Sequence, residues 1–228
     1  MLLIEQIKDG GTWYAETRVT DALIVEPWNA FSSLAIAAPA LYFLWKIRKQ
    51  PKQYLFLILC IPLLLLNGLG SMLFHGLRSS SFFLYMDFIP ALLLTTLITF
   101  YLWWKALPKW WMSFVALTPV FLLRLGWLGI PVGVNFSYIV GGIAFLFPTL
   151  LLERKYGFKR IPQVILAMIF FISAIYFRLV DKEFTHVIPF GTHFLWHICS
   201  GIGAFLLADY LYYFRNTELQ QGLEKRRI

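Results

Sequence analysis

The sequence predicts an all-α integral membrane protein: a seven-transmembrane helix bundle with its N-terminus outside and its C-terminus in the cytoplasm. Three observations lead there. Of 228 residues, 59% are hydrophobic and only 14% charged, whereas a soluble domain carries about a quarter charged residues. Seven apolar runs of membrane-spanning length are separated by short, turn-rich breaks. The basic residues gather in alternate breaks.

The runs cover about Pro27–Leu44, Tyr54–His75, Phe82–Trp104, Trp110–Ile130, Val132–Leu152, Ile161–Leu179 and Thr192–Phe214. A bilayer helix needs roughly 20 apolar residues. Helices are expected because an open sheet cannot satisfy its backbone in lipid, and the runs lack the alternation of barrel strands. The breaks KIRKQPK, LPKW, GIPVG, ERKYGFKR and VIPFG carry turn chemistry. The division is then an extramembrane segment 1–26, a transmembrane domain 27–214 and a basic cytoplasmic tail 215–228. No separate soluble domain fits.

Orientation follows from lysine and arginine. Fourteen basic residues fall in the first, third and fifth loops and the tail, against five on the other side: Lys8, Arg18, Arg78, Arg178 and Lys182. The side rich in basic residues faces the cytoplasm. The net charge of +8 is therefore read as topology, not as a nucleic-acid surface. Cys60 and Cys199 lie inside apolar runs and suggest neither a disulfide nor a thiolate metal site. The opening MLLIEQIKDGG lacks the basic start of a signal peptide. Trp103, Trp104, Trp110 and Trp111 flank the third loop, as interfacial anchors do. Gly141-Gly142 and Gly201-Ile-Gly203 read as sites of close helix packing.

On this map several polar residues share one depth. His75 ends the second run, with Ser71 one turn before it. Asp87 lies early in the third run. His193 and His197 open the seventh, spaced so that both imidazoles face one way. All lie near the outer face. Ionisable groups at membrane depth are costly and mark function. Three imidazoles with an open fourth position make a catalytic zinc site, where the metal acidifies a water. Asp87 is then either a general base or the partner that orients a histidine. Ser71 is a candidate donor to a developing oxyanion. His186, in the polar loop DKEFTH, reads as a solvated residue. Arg124, inside the fourth run, reads as a snorkelling or backbone-paired cation, with a substrate-pocket role as the alternative.

These residues also carry a family resemblance. Gly68-Leu-Gly-Ser71-Met-Leu-Phe-His75 with Asp87-Phe-Ile-Pro90 resembles the Ser-x-x-x-His and Asp motifs of the alkaline ceramidase family. Gly191-Thr-His193-Phe-Leu-Trp-His197 resembles its His-x-x-x-His motif, and Glu26-Pro-Trp-Asn29 with Ser33 the start of its first helix. The wider superfamily includes adiponectin-type receptors and haemolysin-III-like proteins. The resemblance implies a seven-helix fold with zinc on His75, His193 and His197, and with Asp87 and Ser71 beside the water. It implies hydrolysis of the amide of a long-chain membrane lipid such as ceramide, to a fatty acid and a sphingoid base. It also implies calcium at an acidic stretch before the first helix. Here only Glu16 and Glu26 keep carboxylates as candidates for a second metal. So few hard oxygen ligands argue against a tight calcium site. The host membrane favoured is a bacterial cytoplasmic membrane, or that of the endoplasmic reticulum or Golgi in a eukaryote.

Two other classes compete. A receptor or sensor would use the zinc structurally and close its fourth position. A transporter would show an inverted repeat and more acidic residues at mid-helix than Asp87 and Asp209.

Overall fold

A computed structural model of the chain describes residues 9–17, 23–124 and 134–225, less the side chains of 123–124, 134–139 and 223–225. All regular structure among these residues is helical. Seven helices follow in order: α1 (Pro27–Ile47), α2 (Leu55–Leu77), α3 (Ser81–Ala106), α4 (Met112–Arg124), α5 (Val134–Lys155), α6 (Ile161–Leu179) and α7 (His193–Lys225). α1 is briefly interrupted at Ser33. Short 3-10 turns at Pro51–Tyr54 and Glu183–His186 lead into α2 and out of α6. Five helices, α1, α2 with its leading turn, α3, α6 and α7, are long and apolar enough to cross a membrane. The chain is a multi-pass membrane helical protein.

Its two compact units are Met1–Leu92 with Gln163–Ile228, and Leu93–Pro162. In the first, α1 packs along both α2 and α7. Gly68 of α2 makes the first approach close: a Cβ there would lie 2.6 Å from the Ala37 backbone nitrogen. Gly201 of α7 does the same against Ala35, with a hypothetical Cβ 3.1 Å from the Ala35 Cβ. Small residues let backbones meet where lipid offers no hydrophobic drive for association. In the second unit α4 packs on α5. There Gly142 differs from its expected packing role, for a Cβ would meet nothing within 4 Å.

Burial in the first unit runs opposite to that of a soluble protein. Leu59, Ile169 and Ile172 are 53%, 53% and 61% exposed. Meanwhile His75, His193, His197, Glu16, Glu26 and Asn29 are among the most deeply buried side chains. An apolar outside is stable only against lipid, and polar groups inside must find one another.

Boundaries shift where polarity and helicity part company. α7 runs on to Lys225, past the expected end at Phe214. Residues 215–225 are polar but largely good helix formers, and Arg215 pairs with Glu218 at 3.1 Å. An apolar run marks the edge of the lipid, not the end of the helix. Trp104, Trp110 and Trp111 are exposed, but Trp103 turns inward. Its Nε1–H donates to the Ala144 carbonyl at 3.0 Å. Cys60 and Cys199 are free and buried.

Candidate metal centre

The three candidate ligands come from two helices. His75 lies in the last turn of α2, and His193 and His197 occupy the first two turns of α7. One ligand nitrogen from each lies within 4.8 Å of the other two, and all three residues are buried. Each imidazole has a different restraint.

His75 Nδ1 lies 2.5 Å from Glu26 Oε2, with both side chains buried. With its Nδ1–H donated to the carboxylate, Nε2 keeps its lone pair for the cluster. His197 Nδ1 lies 2.9 Å from Ser32 Oγ, whose own hydroxyl donates to the Asn29 carbonyl at 3.1 Å. Ser32 therefore accepts from Nδ1–H, which again leaves Nε2 bare. His193 is held through its backbone: its N–H donates to Asp181 Oδ1 at 2.9 Å. The His193 ring is stacked on Tyr14, with centroids 3.9 Å apart. Its Nδ1 is buried with no hydrogen-bond partner. An orphaned imidazole nitrogen costs free energy in a buried site unless something satisfies it. The three converging imidazoles make an all-nitrogen donor set, which suits a divalent transition metal ion such as zinc.

Two carboxylates distant in sequence cap α1 and α7 beside this site. Glu16 accepts the N–H groups of Trp28 at 2.7 Å and Asn29 at 2.8 Å, at the start of α1. Asp181 accepts those of Thr192 and His193 at the start of α7. These N–H groups have no partner within their own helix, and negative charge there also opposes the helix dipole. Burial raises the Glu16 carboxyl above its ordinary value, against the pull of the Asn29 and Trp28 N–H groups.

Asp87 and Ser71 adjoin the cluster without belonging to it. Asn67 Nδ2 donates to the Asp87 carboxylate at 2.9 Å and to its carbonyl at 2.7 Å. Ser71 accepts from Ser33 at 3.1 Å. Gly70 makes this meeting of α2 and α3 tight, since a Cβ there would lie 2.7 Å from the Asp87 backbone nitrogen.

The candidates for a second metal have partners already. Both Glu16 oxygens hold α1 N–H groups. Glu26 Oε1 accepts from Thr17 at 2.5 Å and Arg78 at 2.6 Å, while Oε2 takes Asn29 at 3.2 Å as well as His75. His186 is exposed on its loop, with Nδ1 turned to the Glu183 carbonyl. The Arg124 side chain lies outside the described residues.

Sequence reasoning missed Tyr14, Arg78 and Asp181. Tyr14 stacks on His193 and tilts against His75 at 5.1 Å. Burial pushes its phenol up to about 12, against the pull of Arg178, so it is an uncharged hydroxyl at neutral pH. Arg78 was counted only as a loop charge, yet it is 4% exposed. It ends α2 at φ 44°, a left-handed conformation that costs an ordinary L-residue roughly 1–2 kcal/mol. For Arg78 the signal was position, three residues past His75 at the end of α2, whereas Asp181 lies twelve residues before His193 and gives no such signal.

Fold and site together define a multi-pass membrane protein with a buried three-histidine cluster able to hold a metal ion. A family model described as Ceramidase matches residues 16–228. The chain belongs to the ceramidase family. A direct comparison with curated proteins finds no match.

Proposed function

We propose that this chain is a zinc-dependent intramembrane hydrolase that cleaves the amide of a long-chain lipid, ceramide or a ceramide-like N-acyl lipid. The observation that carries the reading is the convergence of three buried imidazoles from α2 and α7. Family membership supplies the substrate class.

When bound to His75, His193 and His197, zinc supplies Lewis acidity and acidifies a water. The residues of the chain do the rest. Asp87 takes a proton from the attacking water and returns it to the leaving nitrogen. Ser71, whose hydroxyl accepts from Ser33, donates to the oxygen on which negative charge develops. The water oxygen bonds to the carbonyl carbon, the C–N bond breaks, and a fatty acid and a free amine leave. An apolar cleft of about 530 Å³ between α1 and α7, lined by Trp28, Phe31, Ser32 and Phe194, opens beside the His197 partner. It is of a size to take an acyl chain.

The reading includes seven crossings within residues 27–214, with residues 1–26 outside and 215–228 in the cytoplasm. The site then serves the outer leaflet, in a bacterial cytoplasmic membrane or its eukaryotic counterpart. The test is zinc content of the purified chain together with turnover of a panel of N-acyl lipids. About one zinc per chain and release of fatty acid are expected. A metal-free chain inert on every lipid amide overturns the proposal.

A further inference from the structure

We propose that Arg78 is a positioning residue for the metal site: its guanidinium fixes Glu26 for His75, and the same group ties residues 9–12 to the end of α2. The inference rests on the metal reading above.

The guanidinium of Arg78 spans three acceptor groups, two carboxylates and a carbonyl. Nε donates to Asp9 Oδ2 at 2.5 Å, and Nη2 reaches Asp9 Oδ1 at 3.3 Å. Nη1 donates to the Thr12 carbonyl at 3.0 Å and to Glu26 Oε1 at 2.6 Å. The other Glu26 oxygen is the one that holds His75 Nδ1. One carboxylate is thus gripped from one side by a cation and from the other by a candidate ligand. Backbone hydrogen bonds from Val25 to the Gly76 carbonyl and from Glu26 to the His75 carbonyl, at 2.9 and 3.1 Å, lock the same register.

Capping alone does not account for this residue. The cap of α2 needs only a backbone N–H, which Arg78 gives to the Phe74 carbonyl at 2.9 Å. Glycine would do that without the strain of a positive φ. The strained arginine is explained by its side chain. A planar fork of five donors matches two carboxylates and a carbonyl at once, where a lysine offers a single charged point. Fixing Glu26 restricts the His75 ring and raises the basicity of its free nitrogen, as a carboxylate behind a metal-binding histidine does. The link to Asp9 and Thr12 holds the segment that carries Tyr14 against His193.

The test uses the full purified chain, with two readouts. Zinc affinity is measured by competition with a chelator for wild type, R78Q, R78K, E26Q and R78Q/E26Q. Chymotrypsin cleavage after Trp13 and Tyr14 is timed on the zinc-free proteins. R78Q is expected to lose about 10–100-fold in zinc affinity, as losses behind a ligating histidine do, and R78K to fall between it and wild type. The double variant should be no weaker than E26Q, because Arg78 acts through Glu26. Zinc-free R78Q should be cleaved faster than wild type. Wild-type affinity in R78Q, or additive losses in the double variant, overturns the proposal. If R78Q does not fold, R78K decides, and wild-type affinity with wild-type cleavage there overturns it. A wild-type chain that binds no zinc sinks the metal reading instead. The cleavage comparison still tests the Arg78 anchor in that case, and unchanged cleavage overturns it.

Discussion

Asp181 fixes His193 through the backbone: its Oδ1 accepts the His193 N–H at 2.9 Å and the Thr192 N–H at 2.8 Å. Its Oδ2 accepts the Ala15 N–H at 2.8 Å, from the segment that packs Tyr14 on the His193 ring. One buried carboxylate thus sets the start of α7 and the position of the segment above it. Gly191 makes room for this, with φ 73° and a missing Cβ that would collide with Asp181 and Ala15.

Asp181→Asn and Asp181→Ala should separate these roles. Asparagine keeps one acceptor for the helix cap but loses the second for Ala15. Alanine loses both. A lost cap costs roughly 0.5–2 kcal/mol, so alanine should lower the thermal midpoint more than asparagine. Zinc content should fall in the alanine variant because His193 loses its anchor. Equal midpoints and full zinc in both variants would show that the cap does not set the ligand.

Gly70→Ala tests the contact that brings α3 to α2. The added Cβ meets the backbone at Met86 and Asp87, and backbone cannot swing aside as a side chain can. Overpacking costs about 1–3 kcal/mol. The shift falls on Asp87, while the three histidines belong to α2 and α7. Turnover of an N-acyl lipid should therefore drop with zinc content kept. Loss of zinc with turnover per zinc unchanged would contradict this.

What the sequence disclosed, and what it hid, follows from the range of the interactions. His193 and His197 were legible because four-residue spacing in an apolar run is a local pattern, and His75 and Asp87 because run boundaries give depth. Long apolar runs likewise made the membrane class plain. Arg78 and Asp181 look like ordinary loop charges in sequence. Their burial depends on residues 9–17 folding back across the ends of α2 and α7, and the contacts span 69 residues for Arg78–Asp9 and 166 for Asp181–Ala15. No periodicity encodes such a pairing. In sequence Glu26 reads, with Glu16, as a candidate carboxylate for a second metal, because a list of carboxylates does not say which of them has a histidine behind it. Trp103 looked like its anchoring neighbours because only packing tells which face of a helix an indole takes.

The proposed orientation rests on loop charge and is tested apart from the chemistry. Single cysteines at Lys49 and Lys182, in a background without Cys60 and Cys199, should react with an impermeant reagent from opposite sides of sealed vesicles. The positive-inside rule puts Lys49 in the cytoplasm and Lys182 outside. Labelling of both from the same side would remove the outer-leaflet assignment.

The last prediction turns on Asp87. Its carboxylate is held by Asn67 and stands outside the three-imidazole cluster. Asp87→Asn keeps the shape and most hydrogen bonds but removes the basic oxygen. If Asp87 moves the proton, zinc stays bound, because no ligand has changed. Hydrolysis then falls by about 10²–10⁴, the usual worth of a positioned acid–base group. If Asp87 only supports the metal, the same change weakens zinc affinity by about 10–100-fold, and added zinc restores turnover. Zinc content and turnover must be measured on the same preparations, wild type beside variant. The expected outcome is zinc retained, turnover lost and no rescue by added metal. Rescue by zinc would demote Asp87 to support, and full activity in the variant would remove it from the reaction.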